Sequence, residues 1–230
     1  MQVINAISKS QNKAKAQKAL RLLRKMDRLY RSGYKDARPN EVTYTSVLNS
    51  CAFPAVLADP RTRRKALDTA IFTLEELQAS RYGQPNEITY GTFIKACANL
   101  LDGEGDEALK RMVIEKAFQQ CCRDGQVGEM VLAHLRDAAP ADLYEELLGR
   151  ALVSSDDDRA ATATAGTTTA RSAREITIHD LPPEWRCNVR DFDGGSTWGR
   201  ERSFERRSKE LDQWEKVPER AAEKSVGLTP

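Results

Sequence analysis

Pro39-Asn40-Glu41-Val42-Thr43-Tyr44-Thr45-Ser46-Val47-Leu48-Asn49-Ser50-Cys51-Ala52 returns 46 residues later as Pro85-Asn86-Glu87-Ile88-Thr89-Tyr90-Gly91-Thr92-Phe93-Ile94-Lys95-Ala96-Cys97-Ala98. Seven of the fourteen positions are identical, and most others keep their character (Val/Ile, Leu/Ile, Ser/Ala). Self-similarity at a fixed period defines an architecture before any single residue is considered. A unit that opens on one short helix cannot bury its apolar face alone and must stack on its neighbour. The chain is therefore expected to be an all-α helical solenoid.

Outward from this stretch, each repeat offers two helical patterns. The first helix of the second unit is predicted over 41–52 and that of the third over 87–99, each after a Pro-Asn turn. Val42, Val47, Leu48 and Cys51 in one, and Ile88, Phe93, Ile94 and Cys97 in the other, recur at helical spacing. The second helix of the first unit is predicted over 12–32, with Ala19, Leu22, Leu23, Met26, Leu29 and Tyr30 as its apolar stripe and Gly33 as its stop. That of the second unit starts at Asp59-Pro60, a cap followed by Pro in the first turn, and runs to about 81 with its stop at Gly83. A third is expected over 106–123, then two shorter helices over 127–138 and 141–152. The repeats thus occupy 1–152.

Composition changes at Ser154-Ser155-Asp156-Asp157-Asp158, which leads into little more than Ala and Thr, so 153–174 reads as a flexible linker. The tail, 175–230, holds apolar and aromatic residues around Pro182-Pro183-Glu184-Trp185 and a loose stripe of Phe204, Leu211 and Trp214. Its expected features are a docking segment at 181–189, one helix at about 200–217 and a disordered last dozen residues.

The chain has 230 residues, 30% of them charged, with a mean hydropathy of −0.60 and no apolar run long enough to span a bilayer. Its net charge of +2 hides an asymmetry: residues 1–40 carry eleven Lys/Arg against two Asp, whereas 41–150 carry twelve against seventeen. Only the first segment reads as a surface that attracts polyanions, the alternative being a solvated outer helix face on the convex side of the solenoid, away from its groove. No signal-peptide pattern opens the chain. Met1–Ser8 aligns with Thr45–Ala52, so the first repeat is expected to be truncated and any targeting peptide to lie upstream. Cys51, Cys97, Cys121, Cys122 and Cys187 form no CxxC pair or Cys/His spacing for zinc. Cys51 and Cys97 fall at equivalent repeat positions and read as small packing residues, reduced in an intracellular compartment.

Pro39-Asn40 and Pro85-Asn86, Val42-Thr43-Tyr44 and Ile88-Thr89-Tyr90, and Ala19-Leu20 with Met26 resemble the pentatricopeptide repeat family. Lys116–Gly125 with Val131–Leu135 is similar to the closing unit of some algal members, and Leu181-Pro182-Pro183-Glu184-Trp185 with Asn188-Val189 to their C-terminal tail. The spacing of 46 departs from the roughly 34 of the related tetratricopeptide unit, the excess lying at 53–61 and in a longer second helix.

The resemblance implies a right-handed α-α solenoid of about three helical-hairpin repeats that binds single-stranded RNA, reading roughly one base per repeat with two or three side chains. It implies mitochondrial or plastid RNA processing, stability or translation, with other RNA-processing proteins as further partners. Carried over by position, Thr45 and Asn86 form one base-reading pair of a kind that favours adenine, with Val42 and Ile88 wedging between bases. Asn40 would pair with Met1, and Gly91 occupies a reading position without a side chain. Two base positions bind RNA weakly, so further repeats, self-association or a partner are expected. Trp185 is expected to cover the exposed apolar end of the array.

The rival fold-level reading is a protein-binding scaffold of the tetratricopeptide type, whose Trp…Leu-Gly…Tyr pattern is missing. An enzyme is not expected. His179-Asp180-Leu181 lacks the His-x-Glu of a zinc deaminase and Cys187 stands alone. Asp191, Asp193, Glu201 and Glu205 lie in a region without strands to converge them on a metal, and His134 and His179 are too isolated for a triad. No cofactor, membrane or small-molecule substrate is implied.

Overall fold

The computed structural model describes residues 2–53, 59–103, 105–156 and 176–189. These form eight α-helices and short 3₁₀ turns, with no strand among them. The helices are α1 (Gln2–Lys9), α2 (Lys15–Arg31), α3 (Glu41–Ala52), α4 (Pro60–Gln78), α5 (Glu87–Leu100), α6 (Glu107–Arg123), α7 (Glu129–Ala138) and α8 (Ala141–Asp156). None is long and apolar enough to cross a membrane.

The odd-numbered helices pack in order, α1 on α3, α3 on α5 and α5 on α7. Each even-numbered helix packs on the odd one before it, and α2 and α4 also pack on the odd one after. An odd helix in mid-row therefore has neighbours on several sides. This explains why Thr43, Tyr44, Ser46, Val47, Leu48, Ser50, Cys51 and Ala52 are all buried in the twelve residues of α3. Cys51 and Cys97 are fully buried, and burial pushes both thiols up to about 12. Small side chains at these equivalent positions let adjacent odd helices approach closely.

Polar ties set the register. The Tyr90 hydroxyl donates to the Asp124 carboxylate at the end of α6 and accepts from Gln78 Nε2 of α4 at 3.3 Å. At the other end of α5, Asn99 Nδ2 donates to the Ala52 carbonyl at 2.5 Å, while Arg63 Nη2 donates to the Asn99 carbonyl at 3.0 Å. A further tie is made in trans. Gly128 has no side chain to cap α7, and the Glu87 carboxylate of α5 accepts from Met130 N at 2.9 Å instead. A carboxylate at a helix N-terminus also meets the positive end of its dipole.

Several boundaries differ from the sequence expectation. α2 starts at Lys15 rather than 12, because Asn12 Oδ1 accepts from Ala14 N at 2.9 Å and holds a turn there. α4 ends at Gln78 rather than 81, since Ser80 Oγ accepts from Tyr82 N at 2.9 Å and turns the chain before Gly83. α8 runs through Ser154 and Ser155 to Asp156, so the linker expected from 153 does not begin there. The remainder of that linker, the helix expected at about 200–217 and the terminal dozen residues lie outside the described residues.

The segment 176–189 packs on α6. Ile176 and Leu181 are buried, and the Trp185 ring meets Phe118 edge-on, with centroids 5.8 Å apart and planes at 85°. Val127 N donates to the Trp185 carbonyl at 2.8 Å, and Asn188 N to the Gly125 carbonyl at 2.9 Å. Asn188 Nδ2 adds a bond to the Asp124 carbonyl at 2.9 Å. Gly125 adopts φ of 65°, and a Cβ there would stand 2.5 Å from Cys187 Sγ. Trp185 therefore covers α6 and the turn after it.

Candidate nucleic-acid interface

The two Pro-Asn turns do the same local job. Asn40, in extended backbone, accepts at Oδ1 from Thr43 N at 3.0 Å and from Thr43 Oγ1 at 2.8 Å. Asn86 repeats this with Thr89 N and Thr89 Oγ1, both at 3.0 Å. Each asparagine is the N-cap of its helix, an arrangement worth about 1 kcal/mol. The cap occupies the side-chain carbonyl oxygen. Each Nδ2 amide has no hydrogen-bond partner among the described residues and remains a donor.

Thr45 and Asn86 meet at the seam between α3 and α5. Thr45 Oγ1 lies 2.8 Å from the Glu41 carbonyl, to which it donates, and 2.9 Å from Thr89 Oγ1. Thr89 Oγ1 is in turn bonded to Asn86 Oδ1. Each hydroxyl carries a single proton, so the thread Glu41 carbonyl–Thr45–Thr89–Asn86 has two protons for three contacts, and one contact is left without a proton at any moment. The seam thus sets an amide donor at Asn86 beside the half-buried Thr45 hydroxyl, while fully buried Thr89 only links the two.

Apolar surface flanks this spot. Val42, one turn before Thr45, is 45% exposed, although the spacing of apolar residues sets it on the buried stripe of α3. Thr43 and Tyr44 take the buried places. Ile88 is half-buried at the first turn of α5. Gly91, the repeat equivalent of Thr45, is buried beneath α7: a Cβ would stand 2.9 Å from Met130 Cγ and 3.4 Å from His134 Cδ2. It is a close-approach residue of the α5–α7 contact and presents no surface to a base. Met1, the partner expected for Asn40, lies outside the described residues.

Four residues here were missed by sequence reasoning. Thr89 joins Thr45 and Asn86, the two residues expected to read a base, and only its place as the equivalent of Thr43 hints at this. Lys95, two turns along α5 from Ile88, holds its ammonium 4.8 Å from the Phe53 ring centroid and adds positive charge to the same row. Half-buried His134 on α7 is pushed below its ordinary value by desolvation first and by Lys95 second, so it favours the neutral form. Glu87, half-buried beside Gly128, is pushed up by desolvation against the stabilising bond from Met130 N.

Among the described residues no group of three His, Cys, Asp or Glu side chains converges to hold a metal ion. No protein-family model matches the chain, and no curated protein or solved structure matches it significantly.

Proposed function

We propose that the helices form a right-handed solenoid of helical-hairpin repeats of the pentatricopeptide kind, and that its odd-helix face binds single-stranded RNA. The observation that carries this reading is the seam between α3 and α5. There Thr45 and Asn86, read from the repeat as a base-reading pair, share one hydrogen-bonded thread through Thr89. Exposed Val42 and half-buried Ile88 flank it as surfaces for base stacking, and half-buried Lys95, its ammonium over the Phe53 ring, adds positive charge. Asn40 repeats the Asn86 arrangement one helix earlier in the row. Gly91 serves close packing instead.

The resemblance extends the proposal to RNA processing, stability or translation in a mitochondrion or plastid, alongside other RNA-processing proteins. The base edge would be held by the Asn86 amide and the Thr45 hydroxyl, with no covalent step. Equilibrium titration of adenine-rich against uridine-rich 12-mers, at several salt concentrations, tests the pair. The expected result is weak binding with an adenine preference that Thr45→Ala abolishes. Equal affinities for both oligonucleotides at every salt concentration would remove the base-reading role. Binding of a peptide on the same face, with no RNA bound, would favour a protein-binding scaffold.

A further inference from the structure

α2 is charged unlike any other helix here. Lys18, Arg21, Lys25 and Arg28 are all exposed, at spacings of three, four and three residues. On an α-helix that spacing puts them within a strip about 80° wide and about 15 Å long. The opposite face is spent on the core, with Ala16, Ala19 and Leu23 buried. The two remaining exposed cations of α2 are engaged: Arg24 lies 5.0 Å above the Phe72 ring centroid, and Arg31 pairs with Asp27 at 2.8 Å. Asp27 is the one acidic residue of α2, and it also accepts from the Tyr82 hydroxyl.

Lys18, Arg21, Lys25 and Arg28 have no acidic partner among the described residues. Some cations elsewhere are paired, as Arg64 with Asp68, Lys116 with Glu75, and Arg111 with Asp142 and Glu146, but no other helix gathers four exposed cations on one strip. Like charges one turn apart destabilise a helix by a few tenths of a kcal/mol per pair, so the strip is a standing cost unless an external polyanion neutralises it. A lipid surface does not fit. An interfacial helix needs its apolar face free to enter the bilayer, and that of α2 is buried. Two copies of this strip would repel each other.

We infer that the outer strip of α2 is a second RNA contact, one that takes the phosphate backbone of the strand without reading its sequence. The inference rests on the RNA reading of the α3–α5 seam for the identity of its ligand, but it needs no base preference. Arg forks and Lys ammonium groups at these intervals suit successive phosphate oxygens. Each phosphate neutralised on a single strand contributes about 0.7 to the slope of log affinity against log salt.

The test is titration of the full chain with the same adenine-rich and uridine-rich 12-mers between 50 and 200 mM salt. The fourfold variant Lys18→Gln, Arg21→Gln, Lys25→Gln, Arg28→Gln is compared with an equal-charge control, Arg61→Gln, Lys65→Gln, Lys116→Gln, Arg136→Gln. The strip variant is expected to lose up to about 2.8 from the slope, so that over this salt range the wild type loses about 50-fold more affinity than the variant. The adenine preference should be unchanged, and the control should keep most of the slope. The double variant Lys18→Gln, Lys25→Gln should lose about half as much and guards against a folding defect. An unchanged slope in the strip variants, or an equal loss in the control, overturns the inference. So does loss of binding to phosphatidylserine vesicles with the RNA slope unaltered, or absence of RNA binding by the wild type. A wild type without adenine preference, but with the slope loss intact, removes base reading at the seam and leaves the α2 contact standing.

Discussion

Asn86 has a capping role and a proposed base-reading role on different atoms of one side chain, and they can be separated. Its Oδ1 accepts from Thr89 N and Thr89 Oγ1 and caps α5. Its Nδ2 is the donor proposed for the RNA base. Asn86→Ala removes both. Loss of the cap costs about 1 kcal/mol, which in a folded unit of this size lowers Tm by about 2–4 °C. Asn86→Ser keeps a good cap, since serine and asparagine rank together at this position, but it discards the amide without adding charge. The serine variant should therefore melt within about 1 °C of wild type. It should lose one neutral hydrogen bond to adenine-rich RNA, about 1 kcal/mol or roughly fivefold in affinity. The alanine variant should show both losses. Differential scanning calorimetry and fluorescence anisotropy on the same preparations give the two readings. A serine variant that melts as low as alanine refutes the cap. A serine variant that binds adenine-rich RNA like the wild type refutes the amide as reader.

Gly125→Ala places a Cβ at φ of 65° and against Cys187 Sγ, a combined left-handed and overpacking cost of about 2–4 kcal/mol if the 176–189 segment stays docked. The expected escape is release of that segment, read as faster hydrogen exchange at Val127 N, which donates to the Trp185 carbonyl; unchanged exchange would contradict the close contact. Glu87 is raised above its ordinary 4.5 in the fold, so its contribution to stability is complete below that pH and is lost as pH rises through the folded value. Glu87→Gln keeps an acceptor for Met130 N without titrating, and its Tm relative to wild type should climb as pH goes from 4.5 towards 7. A pH-independent difference would remove the desolvated carboxylate from the account. Thiol labelling of the native chain should reach exposed Cys187 first, and Cys51, Cys97 and Cys121 only on unfolding.

The starts of α3 and α5 were legible because Pro-Asn-Glu-x-Thr is a complete local instruction: a turn, a cap acceptor, and a Thr three residues on to bond it. α3 begins and ends where that reading puts it. Burial along α3 was less legible. A helix packed on several sides buries most of its residues, so a stripe drawn from Val42, Val47, Leu48 and Cys51 misses Thr43 and Tyr44 and wrongly includes Val42. The end of α8 was missed because Ser154-Ser155-Asp156 is poor in helix formers, and composition says nothing about a helix carried on from well-packed turns. At the candidate site, repeat equivalence picked out Thr45 and Asn86, but the bond that links them passes through Thr89 on a neighbouring helix. Gly91 stood at the equivalent of Thr45, and only the approach of Met130 and His134 reveals it as a packing residue. The Glu87 cap on α7 likewise needs three dimensions to be seen.

In the proposed binding mode, equivalent side chains of successive odd helices present one face to a single RNA strand. Photocrosslinking of an adenine-rich 12-mer carrying 8-azidoadenosine, followed by peptide mass spectrometry, tests that most directly. Crosslinks concentrated in residues 41–52 of α3, in Asn86 and in residues 87–100 of α5, and lost on competition with unlabelled adenine-rich RNA, are the predicted result. Crosslinks confined to α4 or α6, or spread evenly over the surface, would contradict it.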